Sequence, residues 1–310
     1  MTKTTIVASA ALPVDERLLI RKKTIYGRQK GKRVCIVTGT HGDELEGQYV
    51  CYRLAQLLSR QSDLLDGQVE IYPSLNPLGT DSIMRGIPGF DLDMNRIFPG
   101  DPDGTLAEST AYYIIQDLRG ADLVIDIHSS NIFLREVPQA RIHIDTANQL
   151  IPFAQMLNVD FIWVHEAATV LESTLAHSLN SIGTHCVVVE MGVGMRINHS
   201  LGNQLVDGIF NLLKQMGMWR GETNTSMLHR PIVSIGNEVE FVNAAASGVF
   251  LTENKNGTII DEGEEIGCIV SSLTGEVLHR ILSPIHGYLF TIRAYPIVYE
   301  GSLIARIHRL

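Results

Sequence analysis

Cysteine is scarce in this sequence, and it does not occur in pairs. The chain has four cysteines, at positions 35, 51, 186 and 268, and no Cys-x-x-Cys spacing. Three of them lie in apolar stretches, where a free thiol packs like a small hydrophobic side chain. We therefore expect a reduced, cytoplasmic environment.

Long apolar runs are missing as well. No segment approaches the roughly 20 apolar residues that a transmembrane helix requires. The apolar stretch near the N-terminus, residues 6–14, includes a proline and is too short to span a bilayer. The sequence predicts no membrane association.

Positive charge is in deficit. The chain has 25 Lys and Arg against 34 Asp and Glu, and its longest basic run is Arg21-Lys22-Lys23. Proteins that bind nucleic acid neutralise phosphates with a basic face. The net charge of −9 and the pI near 5.6 therefore argue against nucleic acid as a partner.

The composition that remains is that of a soluble globular protein, with 310 residues of which 45% are hydrophobic and 19% charged. A chain of this length suggests two domains, one of them large. In residues 1–222 apolar runs alternate with helical patterns, which predicts an α/β domain with a mixed twisted sheet flanked by helices. In residues 223–310 glycines separate short alternating runs, which is typical of a smaller all-β domain.

Two apolar runs of the first domain end on histidine. The strand predicted at residues 34–37 leads through Thr38-Gly39-Thr40 to His41 and to Glu44 at the start of a helix, and the strand at 122–127 ends on His128. Open α/β sheets bind ligands beyond the carboxyl ends of their strands. Because a His and a Glu three residues apart can turn onto the same divalent ion, these residues are candidate metal ligands.

A third apolar run, residues 186–189, ends on Glu190. Burial of a carboxylate at such a position is costly unless the group has a partner or a chemical role. Glu190 is therefore the candidate general base. Asp126 shares a strand face with His128 and could orient that ligand, with a salt bridge unrelated to a metal as an equal alternative.

The loop at residues 79–104 concentrates polar side chains. Loops of this length are uncommon in compact domains unless they are functional, so we expect this one to contribute to the site. Within twelve residues it contains Arg85, Asp91, Asp93, Asn95 and Arg96.

Several histidines between residues 140 and 185 have no comparable context. A lone histidine is more often a packed or surface side chain than a ligand. The sequence therefore gives no site role to His143, His165, His177 and His185.

Residues 246–308 have the two-fold rhythm of a lipoyl or biotinyl barrel. A carrier of that kind needs a modifiable lysine at a hairpin tip, and the corresponding tip, residues 271–276, has none. We expect a β barrel or sandwich that serves packing or shapes access to the site.

Together these motifs resemble the succinylglutamate desuccinylase/aspartoacylase family, a branch of the zinc carboxypeptidase (M14-like) group. The resemblance covers roughly residues 30–220, and its parts occur in the order that the family has. They are Thr38-Gly39-Thr40-His41-Gly42-Asp43-Glu44, Asn76-Pro77, Arg85, Asp93-Met94-Asn95-Arg96, Asp126-Ile127-His128 and Val189-Glu190-Met191-Gly192.

The resemblance implies a zinc-dependent hydrolase of linear amide bonds with a zinc carboxypeptidase-like fold. It implies that His41, Glu44 and His128 bind a single Zn²⁺ per chain and leave the fourth position for water. Glu190 would take a proton from that water. Two His and one Glu with an open position is also the arrangement that zinc hydrolases use for catalysis.

The resemblance also implies how the substrate is held. Arg85 would lie beside the scissile carbonyl, and Asn95 and Arg96 would hold the carboxylate of the substrate. Aspartoacylases place a further arginine shortly before the base, for a second carboxylate, but residues 177–181 read His-Ser-Leu-Asn-Ser here. An acidic substrate side chain therefore has no evident partner.

The leading hypothesis is a deacylase that acts on a small N-acyl amino acid or N-acyl amine. One alternative is a metallocarboxypeptidase that shortens peptides from the free carboxyl end. Another is a non-catalytic binding module of the same fold. The sequence leaves a homo-oligomer open.

Overall fold

A computed structural model describes residues 1–90, 92–166, 172–236 and 238–310. Asp91, one of the polar loop residues named above, lies outside the described residues. The α-helices are α1 (Glu46–Arg60), α2 (Pro77–Ser82), α3 (Leu106–Leu118), α4 (Ala147–Ala154), α5 (Leu175–Ser181) and α6 (His199–Gln215). The first strands are β1 (Thr2–Ala11), β2 (Arg17–Tyr26), β3 (Arg33–Thr38), β4 (Gln68–Tyr72), β5 (Leu123–Ser129), β6 (Leu134–His143), β7 (Phe161–His165) and β8 (Cys186–Gly192). The later strands are β9 (Ile232–Ile235), β10 (Val239–Asn243), β11 (Gly248–Leu251), β12 (Thr258–Ile260), β13 (Glu265–Val270), β14 (Val277–Leu282), β15 (Gly287–Arg293), β16 (Ile297–Val298) and β17 (Leu303–Arg309).

Parallel strands form the centre of the main sheet, in the order β4-β3-β5-β8. Every residue of β5 is buried. Parallel strands of this kind are covered on both faces, which explains their nearly continuous apolar sequences. Because β3, β5 and β8 run in the same direction, their carboxyl ends lie along one edge of the sheet.

Helices cover both faces of this sheet. Helices α1, α4 and α6 pack on one face, where Leu54 and Ile209 are fully buried. Helices α3 and α5 pack on the other face, where Ile114 and Leu179 are fully buried. Over the described ranges, none of the helices combines the length and apolar character of a membrane span.

The N-terminal strands extend one edge of the sheet. β1 pairs with β2, and β2 pairs antiparallel with β4. Strand β2, with the apolar residues Leu18, Leu19, Ile20 and Ile25, thus lies between β1 and β4.

The C-terminal strands extend the main sheet beyond β6 and also form a second sheet. Strands β14-β13-β11-β16 form a second sheet, in which the described pairs are antiparallel. Strands β15, β17 and β10 join the main sheet, because β15 pairs antiparallel with β6. The predicted fold class is confirmed, and hydrogen bonds between β6 and β15 link the predicted large and small domains across one sheet.

Candidate active site

Three buried side chains converge at the carboxyl edge of the parallel strands. His41 follows β3, Glu44 precedes α1, and His128 lies near the end of β5. Their potential ligand atoms all lie within 4.8 Å of one another. The structure thus brings together the three residues that the sequence predicts as metal ligands, although 84 positions separate Glu44 from His128.

The two imidazoles present the same nitrogen to the carboxylate between them. The Nδ1 atom of His41 lies 2.7 Å from Glu44 Oε1, and the Nδ1 atom of His128 lies 2.9 Å from Glu44 Oε2. The outer Nε2 atoms lie 3.0 Å from Asp93 and 3.1 Å from Asp126. Outer carboxylates of this kind fix the ring orientation of histidines that bind a metal.

Charge is concentrated around Glu44. Burial raises the pKa of its carboxyl, but His128 and His41 outweigh burial and hold that pKa well below its usual range. Burial lowers the pKa of His128, whereas Asp126 and Glu44 raise it well above its ordinary value. These shifts favour an ionised Glu44 and protonated histidines. A divalent ion that binds here can take the place of the histidine protons.

The donor set fits zinc. Two imidazole nitrogens and one carboxylate are a set that catalytic zinc sites use, and they leave a coordination position for a reactant. The side chains of Glu44 and of both histidines are each only 4% exposed, so these groups are already withdrawn from solvent. A catalytic zinc site with two His and one Glu has no cysteine ligand.

Close backbone packing positions His41. Gly39 has φ +68°, and Gly42 packs so closely on α2 that an added Cβ would lie 2.0 Å from the carbonyl carbon of Gly79. The Gly42 N–H donates to the carbonyl of Arg85 at 3.3 Å. The glycines of the Thr38-Gly39-Thr40-His41-Gly42 segment therefore allow it to approach the loop that contains Arg85.

Glu190 lies at the end of β8, opposite His128 in the strand register. Its carboxylate is 3.3 Å from the Arg141 guanidinium, and its side chain is 16% exposed. Burial raises the pKa of Glu190 to about 7, although Arg141 and His128 act in the opposite direction. The predicted base is thus a carboxylate that can take up a proton near neutral pH.

The predicted loop residues reach the same place. Arg85 forms ion pairs of 3.1 Å with both Glu44 and Asp93, yet 41% of its side chain is exposed. The exposed Arg96 donates to the Asn95 carbonyl. The side-chain oxygen of Asn95 accepts the backbone N–H of Leu175 at 2.9 Å, a contact that the sequence does not predict.

A cavity of about 440 Å³ lies beside these groups. His143, His165 and His177, to which the sequence analysis gave no site role, line its wall. They come from β6, β7 and α5, and their approach depends on how these elements pack. His185 packs against Phe153, with ring centroids 5.6 Å apart.

Arginines of β6 and β17 are site residues that the sequence analysis missed. Arg141 lines the cavity, and both Arg141 and Arg306 line a smaller recess of about 130 Å³ beside His41 and Glu190. A signal was available for Arg141, because β6 contains charged residues within an otherwise largely apolar run. Arg306 gave no such signal, because β17 reads Leu-Ile-Ala-Arg-Ile-His-Arg and Arg306 does not stand out from the other polar residues of its second half.

Asn180 lies in the segment, residues 177–181, where the resemblance to aspartoacylases leads one to look for an arginine. Its side chain donates to the Cys186 carbonyl at 3.0 Å and accepts the Cys186 N–H at 2.8 Å. Asn180 therefore holds the start of β8 and places no cation in this wall of the cavity.

Comparison with known proteins gives relatives along the whole chain. The chain is 34% identical over 128 residues to an N-alpha-acetyl-L-2,4-diaminobutyric acid deacetylase of Halomonas elongata, a match that covers 41% of this chain and only 37% of that relative. Its fold is similar to the product-bound ectoine utilization protein EutE (DoeB) of Ruegeria pomeroyi, with a TM-score of 0.85, 22% identity and coverage of 100% and 95% of the two chains. A succinylglutamate desuccinylase/aspartoacylase structure from Rhodobacter sphaeroides has a TM-score of 0.83, 23% identity and coverage of 99% and 95%.

The family expected from the motifs is confirmed by a match over most of the α/β part. The family model of the succinylglutamate desuccinylase/aspartoacylase catalytic domain matches residues 30–216. This range includes the converging histidines, Glu44, the polar loop and Glu190. The chain belongs to the succinylglutamate desuccinylase/aspartoacylase family.

Proposed function

We propose that this protein is a zinc-dependent deacylase that hydrolyses the amide of a small N-acyl amino acid or N-acyl amine. The products are a carboxylate and a free amine. The observation that carries the proposal is the convergence of His41, Glu44 and His128 within 4.8 Å, with Glu190 on the neighbouring strand. We further propose that these three residues bind a single zinc ion per chain.

The chemistry divides between the metal and the side chains of this chain. A zinc ion in this position acts as a Lewis acid toward the scissile carbonyl and makes water more acidic. Glu190 accepts a proton from the attacking water and returns it to the leaving nitrogen, so that the C–N bond breaks as the amine departs. The raised pKa of Glu190 suits both steps, because the group must change protonation state twice in each turnover.

Arg85 is the proposed stabiliser of the oxyanion. Its guanidinium is anchored by Glu44 and Asp93 but remains partly exposed beside the ligands, where it can donate to a developing negative charge. A fixed donor of this kind contributes about 100- to 1,000-fold in rate. Arg96, exposed at the cavity, is the proposed partner of the substrate carboxylate because its planar fork can bind both oxygens, with Asn95 beside it.

The cavity supports a small substrate without a second carboxylate. Its volume of about 440 Å³ suits a molecule the size of an acylated amino acid. Residues 177–181 contain no arginine for an acidic side chain, and the Asn180 amide is engaged by the backbone of Cys186. The similarity to an N-alpha-acetyl-L-2,4-diaminobutyric acid deacetylase supports the same substrate class.

Other parts of the proposal concern the molecule as a whole. We propose a cytoplasmic location, supported by four cysteines that are free thiols. We also propose that residues 223–310 are a smaller β domain that packs against the α/β domain of residues 1–222. A homo-oligomer remains compatible with the sequence.

Metal analysis combined with a substrate panel tests the function. Purified protein is stripped with a chelator, restored with zinc, and assayed against N-acyl amino acids with neutral, basic and acidic side chains. We expect about one zinc per chain, activity only after restoration, and preference for non-acidic substrates. His128→Ala removes one of the proposed ligands and should lose both metal and activity.

The same panel distinguishes the alternatives. Release of C-terminal residues from peptides, with no action on N-acyl amino acids, would identify a metallocarboxypeptidase. Protein that binds no zinc and turns over no substrate would be a binding module of this fold. Either result would contradict the proposed deacylase.

A further inference from the structure

We propose that Arg306, on the last strand of the chain, positions the base Glu190 through Glu136 and Arg141. The inference rests on the proposed function, since Glu190 is a base only in that reaction. It assigns to the C-terminal strands a part in the active site, although they lie outside the segment that the family model matches.

The nearest link in this chain of contacts joins Arg141 to the base. An Arg141 Nη1 atom lies 3.3 Å from Glu190 Oε1. Arg141 belongs to β6, which pairs antiparallel with β8, the strand of Glu190. An ion pair of this kind orients a carboxylate only if the guanidinium is itself held in place.

Glu136 holds that guanidinium. Arg141 Nη2 donates to both carboxylate oxygens of Glu136, at 2.7 and 2.9 Å. The Glu136 side chain is fully buried, so its charge must be matched by partners within the protein. Arg141 therefore binds Glu136 through Nη2 and Glu190 through Nη1.

Arg306, on β17, is the second arginine that pairs with the buried Glu136. Its Nη1 donates to Glu136 Oε1 at 2.6 Å, and Thr291 of β15 donates to the same oxygen at 3.3 Å. Thr291 stands opposite both Glu136 and Arg306 in the strand register. Neighbouring strands thus bring these side chains to a common point.

Counting charges shows why the distant arginine matters. Arg141 and Arg306 are matched by Glu136 and Glu190, two cations against two anions. Without Arg306, the buried Glu136 would have Arg141 as its only cation and would draw that guanidinium away from Glu190. Both guanidiniums also lie over the Trp163 ring, at 5.8 and 5.4 Å from its centroid, which restricts their planes.

Substitution of Arg306 tests the inference. In the zinc-restored enzyme, Arg306→Met should lower kcat about tenfold to a hundredfold, the effect of a misplaced catalytic group, with KM within about twofold of wild type. Arg306→Lys returns a cation to Glu136 and should recover much of kcat. Crystal structures should show the Arg141–Glu190 distance lengthened in Arg306→Met and restored in Arg306→Lys.

The control separates positioning from general stability. Arg293 of β15 donates to the backbone carbonyls of Tyr295, Ile297 and Leu303 within the C-terminal part. Arg293→Met should lower the melting temperature and leave kcat and KM unchanged. A comparable loss of kcat in Arg293→Met would overturn the inference.

Other outcomes also decide the question. A rise in KM with unchanged kcat in Arg306→Met would show that Arg306 contacts substrate from the recess that it lines, and would overturn the inference. Unchanged kcat and KM would overturn it as well. If wild-type protein hydrolyses no N-acyl substrate, the proposed function fails, and the Arg141–Glu190 distance in the two crystal structures alone decides whether Arg306 positions the carboxylate.

Discussion

At the scale of single residues, each histidine of the proposed metal site has a carboxylate next to both of its ring nitrogens. His41 and His128 turn the same nitrogen to Glu44 and the other to Asp93 or Asp126. The sequence left open whether Asp126 orients His128 or forms an unrelated salt bridge. The Asp126 carboxylate lies 3.1 Å from His128 Nε2 as an ion pair without hydrogen-bond geometry, so an orienting role for Asp126 stays a prediction.

Replacing the base should separate metal binding from turnover. Glu190→Gln keeps the size of the side chain but cannot accept a proton, so we expect unchanged zinc content and a fall in kcat of about 100- to 10,000-fold. Metal analysis and steady-state kinetics measure the two effects. The exposed Glu262→Gln serves as control and should match wild type, and full activity of Glu190→Gln would rule out Glu190 as the base.

His165 should make the stability of the protein depend on pH. Burial, Arg141 and His143 lower its pKa from 6.5 to about 4, and its Nδ1 atom is buried with no hydrogen-bond partner among the described residues. The unfolded chain therefore gains the proton first as the pH falls, so this contribution to stability is full above 6.5 and is lost toward pH 4. Allowing for solvent screening, wild type should lose about 1 kcal/mol more unfolding free energy than His165→Gln between pH 7.5 and pH 5.

Urea unfolding of the metal-free protein at both pH values measures this difference. The exposed His279→Gln is the control and should follow wild type. Parallel curves for wild type and His165→Gln would show that His165 protonates equally in the folded and unfolded chain.

At the scale of elements, the site depends on how closely the loop after β3 approaches α2. Gly42 has no room for a side chain against Gly79, and its N–H binds the carbonyl of Arg85. This contact joins the segment that contains His41 to the polar loop. Secondary structure alone would not bring the two together, because one lies between β3 and α1 and the other between α2 and α3.

Gly42→Ala should therefore damage both stability and metal binding. The added methyl overpacks the contact with α2, at a cost of about 1 to 3 kcal/mol of unfolding free energy. We also expect weaker zinc binding, measured by competition with a chelating dye. Gly89→Ala, in the polar loop that Gly42 contacts, is the control: no atom of the described residues lies within 4 Å of its Cβ, so only its positive φ should cost stability, about 1 kcal/mol.

Equal zinc affinity in Gly42→Ala and Gly89→Ala would contradict the link between this contact and the placement of His41. A loss of stability without a loss of affinity would assign the contact to packing alone.

At the scale of the whole molecule, a metal ion would cross-link distant parts of the chain. Its ligands come from the segments after β3 and at the end of β5, which are adjacent strands of the sheet. An ion that binds only the folded state stabilises it by mass action. The metal should therefore contribute to the stability of the protein as well as to its chemistry.

Removal of zinc should lower the unfolding free energy. At free zinc a hundredfold above Kd the gain is about 2.7 kcal/mol, which corresponds to a shift of several degrees in melting temperature. Calorimetry with and without chelator measures the shift. Glu44→Gln should show little response to zinc, and an identical response in that variant would exclude Glu44 as a ligand.

Much of the fold and most of the site could be predicted from local patterns. Apolar runs that end on His41, His128 and Glu190 identify strands and place their last residues at one edge. Residues 223–310 were predicted as β structure from their glycines and alternation, and the structure places β9 to β17 within this range. The histidines that line the cavity were missed because each is isolated in sequence.

What the sequence by itself determined is therefore the strands that lead to His41, His128 and Glu190, the carboxyl-edge position of these groups and the family. The tertiary structure alone decided that β6 lies between β8 and β15, and that Arg141, Glu136 and Arg306 meet there. The physical reason is that strand order and register depend on contacts between residues far apart in the chain. Local periodicity shows which face of a strand is buried, but it does not show which strand becomes its neighbour.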